Sequence, residues 1–369
     1  MITRFLASAL AGFLVTLIAM IALRPVAVAI ELVDRPGGRK THHGNVPIVG
    51  GLAMLLGIIV GFALLPGASA PSGLFAAACA LLVVLGLLDD RFELSAAARL
   101  VAHGAIISAM AAGSGLVVNT IGNPFGTGTF EFAGVSAYVC TLIFVAGAVN
   151  AFNMLDGMDG LAGAMALVAL VAFISVGLSA GHINAVGLPI LSCGVIIGFL
   201  IFNLPARFNR QVRCFMGDGG STLLGFILAI IGISLSQGRD NAVSPVNVLW
   251  FAAMPIYELL WTMLRRLSRG RSPFSADREH MHHLLLDAGF GVRAAFIVLL
   301  CFGVFWSSVG LALGFLGAPD WVSFVSFLVC GGITLRFMYN APRHLQRLPE
   351  GLQRVATSPI SDTPLAAEK

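Results

Sequence analysis

The chain has 369 residues, 57% hydrophobic and 11% charged, with a formal charge of +4. Soluble globular domains carry about 25% charged residues, so an ordinary water-soluble globule is excluded. A charge of +4 on such a chain reflects one basic membrane face rather than a nucleic-acid surface.

Runs of about 19 apolar residues, enough to cross a hydrocarbon core roughly 30 Å thick as helices, occur in order along the chain. They lie at 5–23, 46–66, 72–88, 97–114, 134–152, 161–179, 184–204, 222–237, 245–264, 294–316 and 320–339. An all-α polytopic integral membrane protein with eleven spans is expected. The runs are continuously apolar and do not alternate in period two, which argues against a barrel. The first run leads straight into a polar loop and is read as a retained helix, not a cleaved signal. Residues 1–339 are expected to form the membrane domain and 340–369 a cytoplasmic tail, with its end, ATSPISDTPLAAEK, disordered. Cys79, Cys140, Cys193, Cys214, Cys301 and Cys330 fall mostly inside spans without CxxC spacing, so neither a disulfide framework nor a zinc site is indicated.

If the N-terminus is outside, the loops after odd-numbered spans and the C-terminal tail face the cytoplasm. Of the 22 Lys and Arg, only Arg4 and Arg239 then fall outside, a strong positive-inside signal. Every polar motif falls on the same cytoplasmic face, whereas the opposite face offers short connections and the Gly- and Thr-rich stretch 115–133, with Glu131 as its one charge. This asymmetry points to a one-sided active site. Carboxylates beside membrane spans are expensive to keep, and that marks the cytoplasmic acids as functional candidates.

In DDRFELS, Asp89 and Asp90 could share a cation or position a reacting oxygen, or could simply terminate a helix with Arg91 as counter-ion. In NAFNMLDGMDGLAG, Asn150, Asn153, Asp156 and Asp159 fall three apart, a spacing that aligns them along one face of a helical turn. Gly157 and Gly160 would admit a close neighbour; the plainer alternative is an Asn/Asp/Gly turn between membrane helices. FMGDGGST frees the backbone around Asp218, the preferred metal ligand, with Ser221 and Thr222 available to cap the next helix. It lacks the Lys and spacing of a P-loop. In RRLSRGRSPFSADREHMHHLLLDAGF, the arginines, Arg278 among them, could grip a diphosphate or serve only as topology determinants. The spacing of His280, His282 and His283 favours hydrogen bonding to a phosphate or sugar over zinc. Clustered carboxylates, a divalent cation and arginines suit phosphoryl transfer between a phosphorylated soluble substrate and something in the bilayer.

DRPGGRKTHHGNVPIVGG, DDRFELS, NAFNMLDGMDGLAG, FMGDGGSTLLGF and SPFSADREHMHHLLLDAGF together resemble, in order, the signature segments of the polyprenyl-phosphate N-acetylhexosamine-1-phosphate transferases. Within that family the chain is most similar to the WecA-type branch, through NAFNM, DREHMHHL and eleven spans, and less similar to the MraY branch, whose histidine segment typically has three consecutive histidines before Phe-Glu. The resemblance implies transfer of GlcNAc-1-phosphate from UDP-GlcNAc to undecaprenyl phosphate, releasing UMP. This would initiate a cell-surface glycan such as O-antigen at the bacterial inner membrane, with the N-terminus outside and the C-terminus cytoplasmic. Mg²⁺ is the implied cofactor, with Mn²⁺ as a substitute, and a homo-oligomer is left open.

Carried onto this chain, the resemblance makes Asp218 the metal ligand and places Asp89 and Asp90 by the lipid phosphate. Asn153, Asp156 and Asp159 line the nucleotide side with Phe215, whose ring suits stacking on uracil, while His280, His282 and His283 belong to the sugar-diphosphate end. Asp89, Asp90, Asp156, Asp159 and His280 are the catalytic candidates; Lys40, Asn150, Asn153, Phe215, Arg278, His282 and His283 are the substrate-binding ones. One departure stands out: MPIYELLW places Glu258 where the family commonly has Asp. The competing readings are a sister transferase that takes a 6-deoxy sugar or UDP-MurNAc-pentapeptide, decided by a few local contacts, and a transporter. A transporter predicts midplane charges and inverted repeats, and neither is evident.

Overall fold

The structure is a computed structural model and describes residues 1–34, 46–66, 71–204, 214–238, 240–273 and 279–357. Among these the chain is almost wholly helical, as a backbone in lipid must be to satisfy its own polar groups. The elements in order are α1 (Ile2–Ala29), β1 (Val33–Asp34), β2 (Val46–Pro47), α2 (Gly50–Ala63), α3 (Pro71–Phe92), α4 (Ala96–Ser114), β3 (Thr120–Gly122), β4 (Phe130–Glu131), α5 (Val135–Leu155), α6 (Leu161–Ser179) and α7 (Gly187–Asn203). They continue with α8 (Gly217–Ser236), α9 (Pro245–Phe251), α10 (Ala253–Ser268), α11 (Met281–Asp287), α12 (Val292–Phe315), α13 (Asp320–Tyr339), α14 (Ala341–Gln346) and α15 (Glu350–Thr357). This is a multi-pass membrane protein.

Every expected apolar run contains a helix, but the described helices do not confirm the count of eleven spans. Among the described residues nine helices are long and apolar enough to cross a membrane. The run at 245–264 is broken into α9 and α10, which meet at 89° and make a tenth span if counted as one. The run at 46–66 yields only the 14 residues of α2, about 21 Å of helix. Hydropathy could not reveal either feature, because a bend or a late helix start leaves the run just as apolar. Of the ATSPISDTPLAAEK stretch, only Ala356 and Thr357 are described, and both lie in α15; the remainder is outside the described residues.

The bundle is organised around α8, in which all residues but Gly217, Asp218 and Ser234 are buried. It packs against α2, α3, α5 and α6. Lipid tails are as apolar as leucine, so association in the membrane relies on close packing of small residues. Here the approach is backbone to backbone: a methyl group added at Gly86 of α3 would sit 2.1 Å from the Gly219 nitrogen, and one at Gly225 would sit 2.6 Å from the Ala148 carbonyl oxygen of α5. These contacts bring the C-terminal ends of α3 and α5 to the N-terminal end of α8.

Two short antiparallel pairs complete the structure, β1 with β2 and β3 with β4. The segment leading into α8 is stitched beside β2: the Phe215 N–H donates to the Pro47 carbonyl at 2.9 Å, and the Gly50 N–H donates to the Phe215 carbonyl at 2.9 Å. At the opposite end, Asp320 at the start of α13 accepts from the Ser244 hydroxyl at 2.5 Å and from the Asn123 N–H at 2.8 Å, tying the β3–β4 hairpin to α9 and α13.

Replacing Gly86 with Ala is expected to lower thermal stability in detergent by about 1–3 kcal/mol, the usual range for overpacking. Gly73→Ala, also on α3 but with nothing within 4 Å of the added carbon, is expected to be neutral or slightly stabilising. Equal melting temperatures for the two variants would refute the close approach of α3 to α8.

Candidate active site

Three helix ends converge. The first is the last turn of α3, where Asp89 is buried. One Asp89 carboxylate oxygen accepts from the Leu94 N–H at 2.8 Å and the other from the Arg99 guanidinium at 2.8 Å. Asp89 thereby organises the tight α3–α4 turn, in which Glu93 takes the left-handed conformation at φ +50°. Ser95 caps α4 by accepting from the Ala98 N–H. The same Arg99 nitrogen lies 3.9 Å from an Asp218 carboxylate oxygen. Arg99 thus links two of the acids, although sequence reasoning did not select it. Its signal was a cation inside an apolar run, which is expensive unless it faces a partner.

The second end is the start of α8. Gly217 sits at φ +70°, and a side chain there would strike an Asp90 carboxylate oxygen at 2.5 Å, so glycine suits both the conformation and the space. The Asp218 N–H donates to both Asp90 carboxylate oxygens, each at 3.2 Å. Asp90 therefore satisfies an otherwise orphaned amide at the helix N-terminus. The expectation that Ser221 and Thr222 cap this helix is corrected: α8 begins at Gly217, which places both in its interior. The Ser221 hydroxyl instead donates to the Gly217 carbonyl at 3.3 Å and accepts from Asn153.

The third end is that of α5. The Asn153 amide donates to the Asp218 carboxylate at 2.8 Å and to the Ser221 hydroxyl at 3.1 Å, holding Asp218 in one orientation. The alignment of Asn150, Asn153, Asp156 and Asp159 on one helical face does not hold. The helix ends at Leu155, Asp156 is its C-terminal cap, and Asp159 lies in the turn before α6. Asn150 is not drawn to the acids by its amide, which donates to the Ala146 carbonyl of its own helix at 2.7 Å. The Asp156 carboxyl is pushed well above the usual carboxylate range, first by burial and then by the charges of Asp218, Asp159 and Asp90. An acid so crowded by like charge marks a place where a cation is favoured.

The histidine segment meets this cluster at Gly157. A methyl group there would sit 2.5 Å from the His282 ring carbon Cε1 and 2.7 Å from Nε2. The close neighbour expected at this glycine is thus a side chain from more than a hundred residues away. His282 is buried, neither ring nitrogen has a hydrogen-bond partner among the described residues, and burial followed by His283 and His280 pushes its pKa down to about 3. It is therefore neutral at physiological pH, with one nitrogen a donor and the other an acceptor. Its ring stacks parallel to His280 at 5.8 Å and lies 4.2 Å from the His283 ring.

Phe215 lies in the stitched segment before α8, partly exposed. Three of the arginines before the histidine segment are engaged with their own loop: Arg266 donates to the Pro273 carbonyl at 2.7 Å, and Arg265 and Arg269 both pair with Glu279. Lys40 and Arg278 lie outside the described residues.

The model of the glycosyl transferase family 4 matches residues 72–236, the stretch that supplies Asp89, Asp90, Asn153, Asp156, Asp159 and Asp218. Relatives extend the likeness through the histidine segment. The chain is 34% identical to a Yersinia pestis protein named undecaprenyl-phosphate alpha-N-acetylglucosaminyl 1-phosphate transferase, over 93% of this chain and 95% of the relative. Proteins of the same name are 34% identical in Escherichia coli K12, covering 93% and 94%, and 32% identical in Pasteurella multocida, covering 91% and 92%. Identity sustained across nearly the whole length, with the family's own match spanning the acid cluster, places the chain in glycosyl transferase family 4.

Proposed function

We propose that this protein transfers GlcNAc-1-phosphate from UDP-GlcNAc to undecaprenyl phosphate at the cytoplasmic face of the bacterial inner membrane, initiating a cell-surface glycan. The observation that carries this reading is the convergence of Asp89, Asp90, Asn153, Asp156 and Asp218 from three helix ends beside Arg99. The names of the full-length relatives support the acceptor and the sugar. With the N-terminus outside and the C-terminus cytoplasmic, the basic loops and the acid cluster share one face.

In the reaction, an oxygen of the lipid phosphate attacks the β-phosphorus of UDP-GlcNAc. A phosphorus–oxygen bond forms there, the bond from that phosphorus to the oxygen bridging to the α-phosphate breaks, and UMP leaves with that oxygen. A phosphate monoester with a second pKa near 6 is already largely dianionic at neutral pH, so attack needs no general base. Arg99 offers positive charge to the incoming lipid phosphate, while Asp89 holds its guanidinium in place. Neutral His282 and its neighbours His280 and His283 offer hydrogen bonds at the sugar-diphosphate end.

Mg²⁺ fits the donor set. Among the described residues no three His, Cys, Asp or Glu side chains are arranged to hold an ion, yet Mg²⁺ is usually bound by one or two carboxylates together with substrate phosphates. Asp218, oriented by Asn153, is the residue that would hold it, and crowding of Asp156 by like charge favours a cation at this spot. When bound, Mg²⁺ supplies neutralisation of the diphosphate charge. Mn²⁺ is accepted by the same oxygen donors.

Purified protein given undecaprenyl phosphate, Mg²⁺ and a panel of UDP-sugars is expected to release UMP with UDP-GlcNAc only when lipid is present. Chelation, or Asp218→Asn, should lower the rate by about 10²- to 10³-fold, reflecting several kcal/mol of charge stabilisation. Release with a different donor alone would keep the chemistry and change the product; silence from folded protein with every donor would overturn the reading. Asn153→Ala is expected to raise the half-saturating Mg²⁺ concentration about 10- to 100-fold, as loss of a group orienting a ligand does. An unchanged Mg²⁺ titration would remove Asn153 from the ligand-orienting role.

A further inference from the structure

The side chain that departs from the family pattern is the one that ties the histidine segment down. Glu258 lies on α10, just beyond the 89° bend, and is 1% exposed. One carboxylate oxygen lies 2.8 Å from His280 Nδ1 and accepts from the Thr262 hydroxyl at 3.2 Å. The other accepts from the Met281 N–H at 2.9 Å. His280 and Met281 are the N-cap and first residue of α11, whose start has no side-chain cap of its own. A residue on a different helix therefore supplies an acceptor for one of the otherwise orphaned amides at the helix start.

Consequences run from α10 to the acids. With Nδ1–H donating to the carboxylate, His280 is fixed in one tautomer and one ring plane, as outer partners of functional histidines generally do. The Met281 contact fixes where the short helix starts. Two residues on, His282 stacks parallel to His280 and abuts Gly157 between Asp156 and Asp159. α10 is itself anchored, since the Tyr257 hydroxyl donates to the Phe327 carbonyl of α13 at 2.7 Å. The carboxylate uses both oxygens on α11, and an aspartate one methylene shorter on this backbone would not span both contacts.

We propose that Glu258 is a positioning residue for the transferase. It acts through His280, holding that ring as the Nδ1–H donor and seating α11 so that the histidines face the carboxylate loop. This rests on the transferase reading above for its catalytic consequence, but the hydrogen-bond assignment stands apart from activity.

Two measurements on the full chain in lipid nanodiscs test it. In a double-mutant cycle on UMP release, Glu258→Gln is expected to lower kcat/KM about 10- to 100-fold in the wild-type background. In the His280→Ala background it should change kcat/KM by less than about 2-fold, because Gln keeps an amide oxygen for the Met281 N–H and only the path through the missing ring is lost. Losses that multiply independently, or a fully active Glu258→Gln variant, would overturn the proposal while leaving the transferase reading intact. The second is ¹⁵N magnetic resonance of labelled histidine, with the His280 signals identified by their loss in His280→Ala. Wild-type protein should show Nδ1 protonated, with the Nε2–H tautomer gaining population in Glu258→Gln. A neutral Nε2–H tautomer in the wild type would overturn the proposal. This arm reads out even if no donor yields UMP, an outcome that would sink the transferase reading instead.

Discussion

No methyl group fits where Gly86 of α3 meets Gly219 of α8, or where Gly225 of α8 meets the backbone of α5. The candidate site depends on this close approach. Helices separated by ordinary side chains sit about 8–10 Å apart, and at such spacing the Asn153 amide could not bond to Asp218 across 65 residues of sequence. In a membrane, where burial against lipid gives little drive to associate, small residues are the means of bringing backbones together. The buried centre of the bundle and the acidic cluster at its end are two aspects of the same packing.

The acids brought together in this way do different things. Asp89 and Asp90 are adjacent in sequence, yet one organises the α3–α4 turn and holds Arg99 while the other receives the first amide of α8. Asp218 is oriented by Asn153, and Asp156 is crowded by negative charge. Near-fixed carboxylates with a deficit of positive charge are suited to a reaction whose substrates carry diphosphate, because phosphoryl transfer depends largely on positioning and charge neutralisation. The histidine segment approaches from the other side, held by Glu258 and seated against Gly157.

Much was legible in the sequence because hydropathy and motif spacing are local. The continuous apolar runs determined a polytopic helical membrane protein, the distribution of Lys and Arg suggested that the polar motifs share one face, and Asp218, Asp156 and the two adjacent acids at 89 and 90 stood out as carboxylates kept beside membrane spans. Gly157 announced a close neighbour without saying which. The expected helical face through Asn150 and Asp159 failed because spacing says nothing of where a helix stops, and the turn at Asp156 ends it.

Tertiary structure decided the rest. It broke one apolar run at right angles, assigned Asp90 to the start of α8, identified His282 as the neighbour of Gly157, and drew Arg99 and Glu258 into the site. Each is a pairing between groups on different helices, set by how closely and at what angle those helices pack. A chain's local pattern fixes which segments enter the membrane; which polar atoms then face one another depends on backbone separations of a few ångströms, and these exist only once the bundle has formed.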